Sequence, residues 1–123
     1  MNDSVRRMLM IGVGGAAGAL LRSGALGLAG DDAAIRALLS INIIGSFWLG
    51  LAVVRLRRQP DFLAAVGTGF CGGFTSLSSF AVQVAELIGE GRATVGIGLA
   101  VVTALSTVAG IDLGIRISRE TGE

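Results

Sequence analysis

Apolar residues run along this chain in four long blocks, separated by short polar joints. The blocks cover about residues 8–28, 37–54, 62–88 and 94–115. A helix that spans a bilayer needs about 20 mostly apolar residues, so each block predicts one membrane span. The joints are Gly30-Asp31-Asp32, the stretch from Arg55 to Asp61 with the only proline, and Gly89 to Arg92. Charge is nearly absent inside the blocks: Arg22 interrupts the first, Glu86 lies near the end of the third, and Asp112 lies near the end of the fourth. The pattern predicts an all-α membrane protein with a single domain, residues 1–123, and four transmembrane helices.

Composition agrees with that reading and removes most chemistry. Hydrophobic residues make up 52% of the 123 positions and charged residues only 15%, against about 25% in soluble domains. The basic residues are all arginine, 10 against 9 acids, and the net charge of +1 gives no field to draw nucleic acid. Without lysine there is no Schiff base. Without histidine, and with Cys71 alone, there is no zinc cluster, no Cys–His pair and no internal disulfide. No nucleophile–base pair supports an enzyme. The first block has features of a secretory leader, with Arg6 and Arg7 ahead of it and Gly27-Leu28-Ala29 near its end. Arg22 would fall within the apolar core of such a leader, so the block reads better as a retained helix.

With four spans, the N-terminus, the middle joint and the C-terminus share one side. That side holds Arg6, Arg7, Arg55, Arg57, Arg58, Arg116 and Arg119; the other holds Arg36 and Arg92, with Arg22 nearby. The positive-inside rule then predicts cytoplasmic termini in a cell or inner membrane.

Helices in lipid associate through close packing of small residues. Gly14 and Gly18, Gly69 and Gly73, and Gly110 and Gly114 form GxxxG pairs in the first, third and fourth blocks. Four helices leave little room for an aqueous path within one chain, so transport implies a dimer or larger assembly. Polar groups at membrane depth are the functional candidates. Asn42 offers two donors and an acceptor, for a helix–helix hydrogen bond or for a ligand. Thr103 and Thr107 share a helix face and either bond back to their own turns or line a path. Arg22 either snorkels or meets an anion. From Gly67 to Phe80 the third block is dense in glycine and hydroxyls, and Gly72-Gly73-Phe74-Thr75-Ser76 is where a helix would break. A packing helix with back-bonded hydroxyls is the other account, and the residues alone leave both open. A break would free carbonyls for a cation and amides for an anion.

Together these fragments resemble the fluoride channel family known as Fluc or CrcB. Residues 14–22, GGAAGALLR, are similar to its first-helix motif, and Asn42-Ile43-Ile44-Gly45-Ser46-Phe47 to its second-helix asparagine motif. Residues 69–80, GFCGGFTSLSSF, are similar to its GFxGGxTTFSTF signature. The resemblance implies a dual-topology antiparallel dimer in membrane lipid, with two fluoride pores along the subunit interface. It implies a structural, untransported Na+ held by the backbone carbonyls of Gly72 and Thr75. It assigns Asn42 and the phenylalanines of the signature to the pores and matches Arg22 to the family's first-helix arginine. A fluoride pore must replace hydration with donors and still release the ion. Asn42 would supply N–H, Thr103 and Thr107 O–H, and Phe80 a positive ring edge.

Two departures stand out. Leu77 replaces the first aromatic of the signature, leaving Phe80. The arginine bias predicts one orientation, whereas a chain that inserts both ways should show little bias. Both fit a heterodimer with an oppositely oriented paralogue, in which this chain conducts wholly, partly or not at all; a homodimer is the alternative. A small multidrug-resistance-type exporter has the same size and span count, but it needs a carboxylate in the first helix, and none occurs between Asp3 and Asp31.

Overall fold

The computed structural model describes residues 1–122, and these are helical with short connections. Helix α1 (Asp3–Ala29) starts at Asn2, whose side chain accepts from the Ser4 amide at 3.0 Å. It stops at Gly30, which takes a positive φ of 72°. After a single 3₁₀ turn, α2 (Ala34–Arg55) crosses back. The next helical run begins at Pro60 with α3 (Pro60–Leu63), where proline at the first position sacrifices no hydrogen bond. It continues as a π-helical stretch (Ala64–Cys71) and a last turn, α4 (Gly72–Phe74). Helix α5 (Leu77–Gly89) and the long α6 (Ala93–Glu120) complete the fold.

Three stretches are long and apolar enough to cross a membrane: Asp3–Ala29, Asp31–Arg55 and Ala93–Glu120. The expected third span, residues 62–88, is not one helix. Thr75 (φ −79°, ψ 157°) and Ser76 (φ −146°, ψ 102°) are extended, so the helix stops after Phe74 and restarts at Leu77. A helix break therefore sits at the Thr-Ser step, at the end of the Gly72–Ser76 stretch. The long π-helical stretch ahead of it was not part of the sequence reading. Extended π-helix is rare and clusters at functional sites.

Glycine decides which helices pair. A Cβ on Gly14 or Gly18 would collide with the carbonyls of Ala65 or Phe70. In return, a Cβ on Gly69 or Gly73 would strike the α1 carbonyls of Ile11 or Gly15. Helix α1 thus lies backbone to backbone along the π-helical stretch and α4. The second close pair is α2 with α6, where Gly50 abuts the Ile111 carbonyl and Gly114 the Phe47 carbonyl. All three GxxxG pairs lie at these crossings. Helix α5 packs on α6, and Gly96 meets the Val84 carbonyl and the side chains of Leu87 and Ile88.

Side-chain bonds tie the ends together. Arg6 and Arg7 both donate to Asp61, Arg7 at 2.9 Å, fixing the start of α1 to the start of α3. Arg55 donates to Ser118 at 3.2 Å and to Thr121 at 2.8 Å, fixing the end of α2 to the end of α6. The N-terminus, the 56–59 loop and the C-terminal turn therefore share one end of the molecule. Many large apolar side chains face outward, including Val13 at 71% exposed, Leu20 at 74% and Leu105 at 67%. A surface of this kind suits lipid or another subunit.

Candidate functional site

The break is held open by Asn42. Its Oδ1 accepts from the Ser76 backbone N–H at 2.9 Å, and both residues are buried. An amide nitrogen can only donate, so this bond fixes which end of the Asn42 side chain is oxygen. It also removes the donor that would have closed the helical turn on the Gly72 carbonyl. Ser76 then caps the restart: its Oγ accepts from the Ser79 amide at 3.1 Å and donates to Ser79 Oγ at 2.8 Å. The Leu77 and Ser78 amides, ahead of the capped Ser79 amide, lie at the positive end of α5. On the other side of the break, the Thr75 amide and Thr75 Oγ1 both donate to the Cys71 carbonyl at 3.0 Å. Arg22 Nη1 donates to the Thr75 carbonyl at 3.0 Å.

With its oxygen committed, Asn42 keeps two N–H donors that have no protein partner among the described residues. Asn42 lines a groove of about 410 Å³ between α2, α5 and α6. Asn42, Leu77, Phe80, Thr103 and Thr107 all line it, so one concave surface gathers five of the six expected pore residues. Thr103 is 5% exposed and its hydroxyl has no hydrogen-bond partner. Thr107 differs: its hydroxyl donates to the Ala104 carbonyl at 3.0 Å, the back-bonding that isolated threonines commonly make. Leu77 is 79% exposed, at the open side of the groove. Arg22 does not line the groove. Its guanidinium instead holds the broken backbone at the Thr75 carbonyl.

Two residues were missed. Ser46 is buried on the groove wall one turn from Asn42, and its i, i+4 spacing to Asn42 would have revealed it. Gln83 lies one turn beyond Phe80, and its Oε1 is buried without a partner. A neutral amide within an apolar block is itself a signal in the sequence.

The expected cation ligands fit in kind. Among the described residues no cluster of His, Cys, Asp or Glu could hold a metal ion, so a cation here would rely on backbone oxygen. The Gly72 carbonyl has lost its helical donor. The Thr75 carbonyl shares one lone pair with Arg22 and retains the other. Carbonyl oxygen suits a hard cation. Two oxygens from one chain are too few, so such a site needs a second subunit.

A family described as "CrcB-like protein, Camphor Resistance (CrcB)" matches residues 9–115. The chain is 38% identical over 113 residues to the "Fluoride-specific ion channel FluC 2" of Natronomonas pharaonis, covering 89% of this chain and 91% of that one. It is 33% identical over 119 residues to the FluC of Mesorhizobium japonicum, covering 91% and 95%. It is 39% identical over 94 residues to the FluC of Gloeobacter violaceus, covering 71% and 75%. The match spans the glycine-paired helices, the Asn42 groove and the broken third segment alike, and the chain belongs to the CrcB family.

Proposed function

We propose that this chain forms a fluoride-selective channel that lets cytoplasmic fluoride leave passively. One observation carries the reading. The groove is lined by Asn42, whose amide nitrogen donates to no described residue, by Thr103, whose buried hydroxyl has no partner among the described residues, and by Phe80. Unsatisfied donors in an apolar wall favour a small, strongly hydrated anion that must shed water. The positive end of α5 adds to that potential. A channel of this family is not an enzyme, and the groove contains no base or nucleophile pair. It contains no carboxylate either, so nothing in it couples flow to protons.

The groove is open on one side, and closing it takes a second subunit. The reading is an antiparallel dimer of four-span chains with the grooves at the shared surface. The Gly72 and Thr75 carbonyls, with their equivalents in the partner, would hold a structural Na+ at the break. The arginines at the end that carries both termini favour a fixed orientation, termini in the cytoplasm. The partner is then an inverted paralogue, and Leu77 is tolerated because the partner contributes the fuller aromatic set. The test is efflux from liposomes holding the purified chain, alone and then with a paralogue encoded beside it. Fluoride should pass far faster than chloride without a proton gradient. Comparable chloride flux, or strict proton dependence, contradicts the channel reading. Fluoride efflux from the chain alone, with C-terminal topology reporters active on both sides of the membrane, contradicts the heterodimer.

A further inference from the structure

A second cavity is larger than the groove. It measures about 910 Å³ and lies where α2 and α6 end, lined by Arg55, Arg57, Arg58, Gln59, Ser118 and Arg119 among others. No carboxylate among the described residues pairs with any of these four arginines, in contrast to Arg6, Arg7, Arg92 and Arg116, each of which has an acidic partner. Arg55 is oriented by Ser118, which is 1% exposed, and by Thr121. Arg57, Arg58 and Arg119 donate no side-chain hydrogen bond to any described residue and are exposed.

Helix ends explain part of this. Arg55 and Arg119 lie in the last turns of α2 and α6, where cations suit the helix dipole. Arg57 and Arg58 lie beyond α2 in the loop, out of reach of that account. Depth supplies the rest. Helix α2 has 22 residues, about 33 Å at 1.5 Å per residue, close to the ~30 Å of a hydrocarbon core. Its last residue thus sits at the headgroup level, and so does the cavity beside it.

We propose that this cavity binds the headgroup of an anionic phospholipid. The Arg57 and Arg58 guanidiniums donate to the phosphate, as planar forks suit phosphate oxygens, and Arg119 closes the opposite wall. A zwitterionic lipid offers the same phosphate but also a cation, which four arginines without an acidic partner among the described residues disfavour. The inference needs only that the chain spans the membrane and is independent of what it conducts.

The test uses the purified full-length protein in mild non-ionic detergent. Its thermal unfolding is followed with equal mole ratios of dioleoylphosphatidylglycerol or dioleoylphosphatidylcholine, and separately with inorganic phosphate. Native mass spectrometry of the wild type counts lipid retained. Phosphatidylglycerol should raise the midpoint more than phosphatidylcholine and be retained preferentially. The doubly substituted Arg57→Gln/Arg58→Gln protein should lose at least half of that excess, while Arg92→Gln, at the other end, should keep it. Equal shifts and equal retention for the two lipids would overturn the proposal, and so would an undiminished excess in the double variant. Inorganic phosphate reproducing the full shift would make the cavity a site for free anions and equally overturn it. Should the double variant fail to fold, preferential phosphatidylglycerol retention by Arg119→Gln at the wild-type level decides against the site, and reduced retention decides for it.

Discussion

Replacing Asn42 by aspartate separates the two jobs of that side chain. The wild-type Oδ1 accepts from the buried Ser76 amide at 2.9 Å, which leaves the Nδ2 donors of this groove-lining residue free of any described partner. Aspartate keeps an oxygen for Ser76 and converts the donors into a second oxygen, with negative charge. The break should therefore survive. An anion about 5 Å from that charge meets repulsion of ~3 kcal/mol at an effective dielectric of ~20. Lost donation to the ion adds about 1.5–3 kcal/mol, the usual worth of a hydrogen bond to a charged group. At 1.4 kcal/mol per decade, fluoride flux should fall by at least ~100-fold. Asn42→Ala behaves differently, because it also orphans the Ser76 amide in a buried place, at a cost of about 1–3 kcal/mol. Alanine should lower both flux and thermal stability by orphaning the Ser76 amide, whereas aspartate keeps that bond and should lower flux the more strongly of the two. Fluoride efflux from liposomes and thermal unfolding in detergent read the two effects. An aspartate variant that conducts like wild type would refute the reasoning, since the donors would then face no ion.

Thr103→Val removes a buried hydroxyl that no protein group satisfies, so it should leave stability unchanged or higher while slowing fluoride efflux. Loss of stability without loss of flux would make the hydroxyl structural. Gly18→Ala sets a methyl against the Phe70 carbonyl at the α1 crossing and should cost about 1–3 kcal/mol of stability. Gly24→Ala has nothing within 4 Å and should gain up to about 1 kcal/mol from helix propensity; equal effects of the two would refute the close approach. Hydrogen bonds from Arg7 and Arg6 hold the Asp61 carboxyl below its ordinary range. A depressed carboxylate stabilises fully above its unfolded pKa, about 3.9, and the contribution disappears as pH falls through the folded value. Thermal unfolding should thus show wild type losing its advantage over Asp61→Asn below about pH 4, and an advantage independent of pH would refute the clamp.

The spacing of apolar blocks was enough to determine an all-helical membrane chain, because a bilayer admits few other ways to satisfy a backbone. Glycine spacing indicated which helix faces pack closely. The residue types at Gly72 to Ser76 marked the neighbourhood of a helix break, since Gly, Ser and Thr are weak helix formers with local alternatives for their hydrogen bonds. Which polar residues could matter was likewise legible, as Asn42 and Thr103 have few reasons to sit in oil. Which partner each residue takes was not legible. Asn42 could have bonded to a neighbouring helix with either end of its amide. Only the approach of α2 to the break commits the oxygen to Ser76 and leaves the nitrogen for the groove. Thr103 and Thr107 look equivalent in sequence, yet packing buries one hydroxyl without a partner and leaves the other to bond its own turn. Arg22 could have snorkelled, but the glycine-paired crossing of α1 brings it to the Thr75 carbonyl, 53 residues away along the chain. Sequence period fixes which face a residue occupies. What that face meets depends on long-range packing, and there the tertiary structure decides.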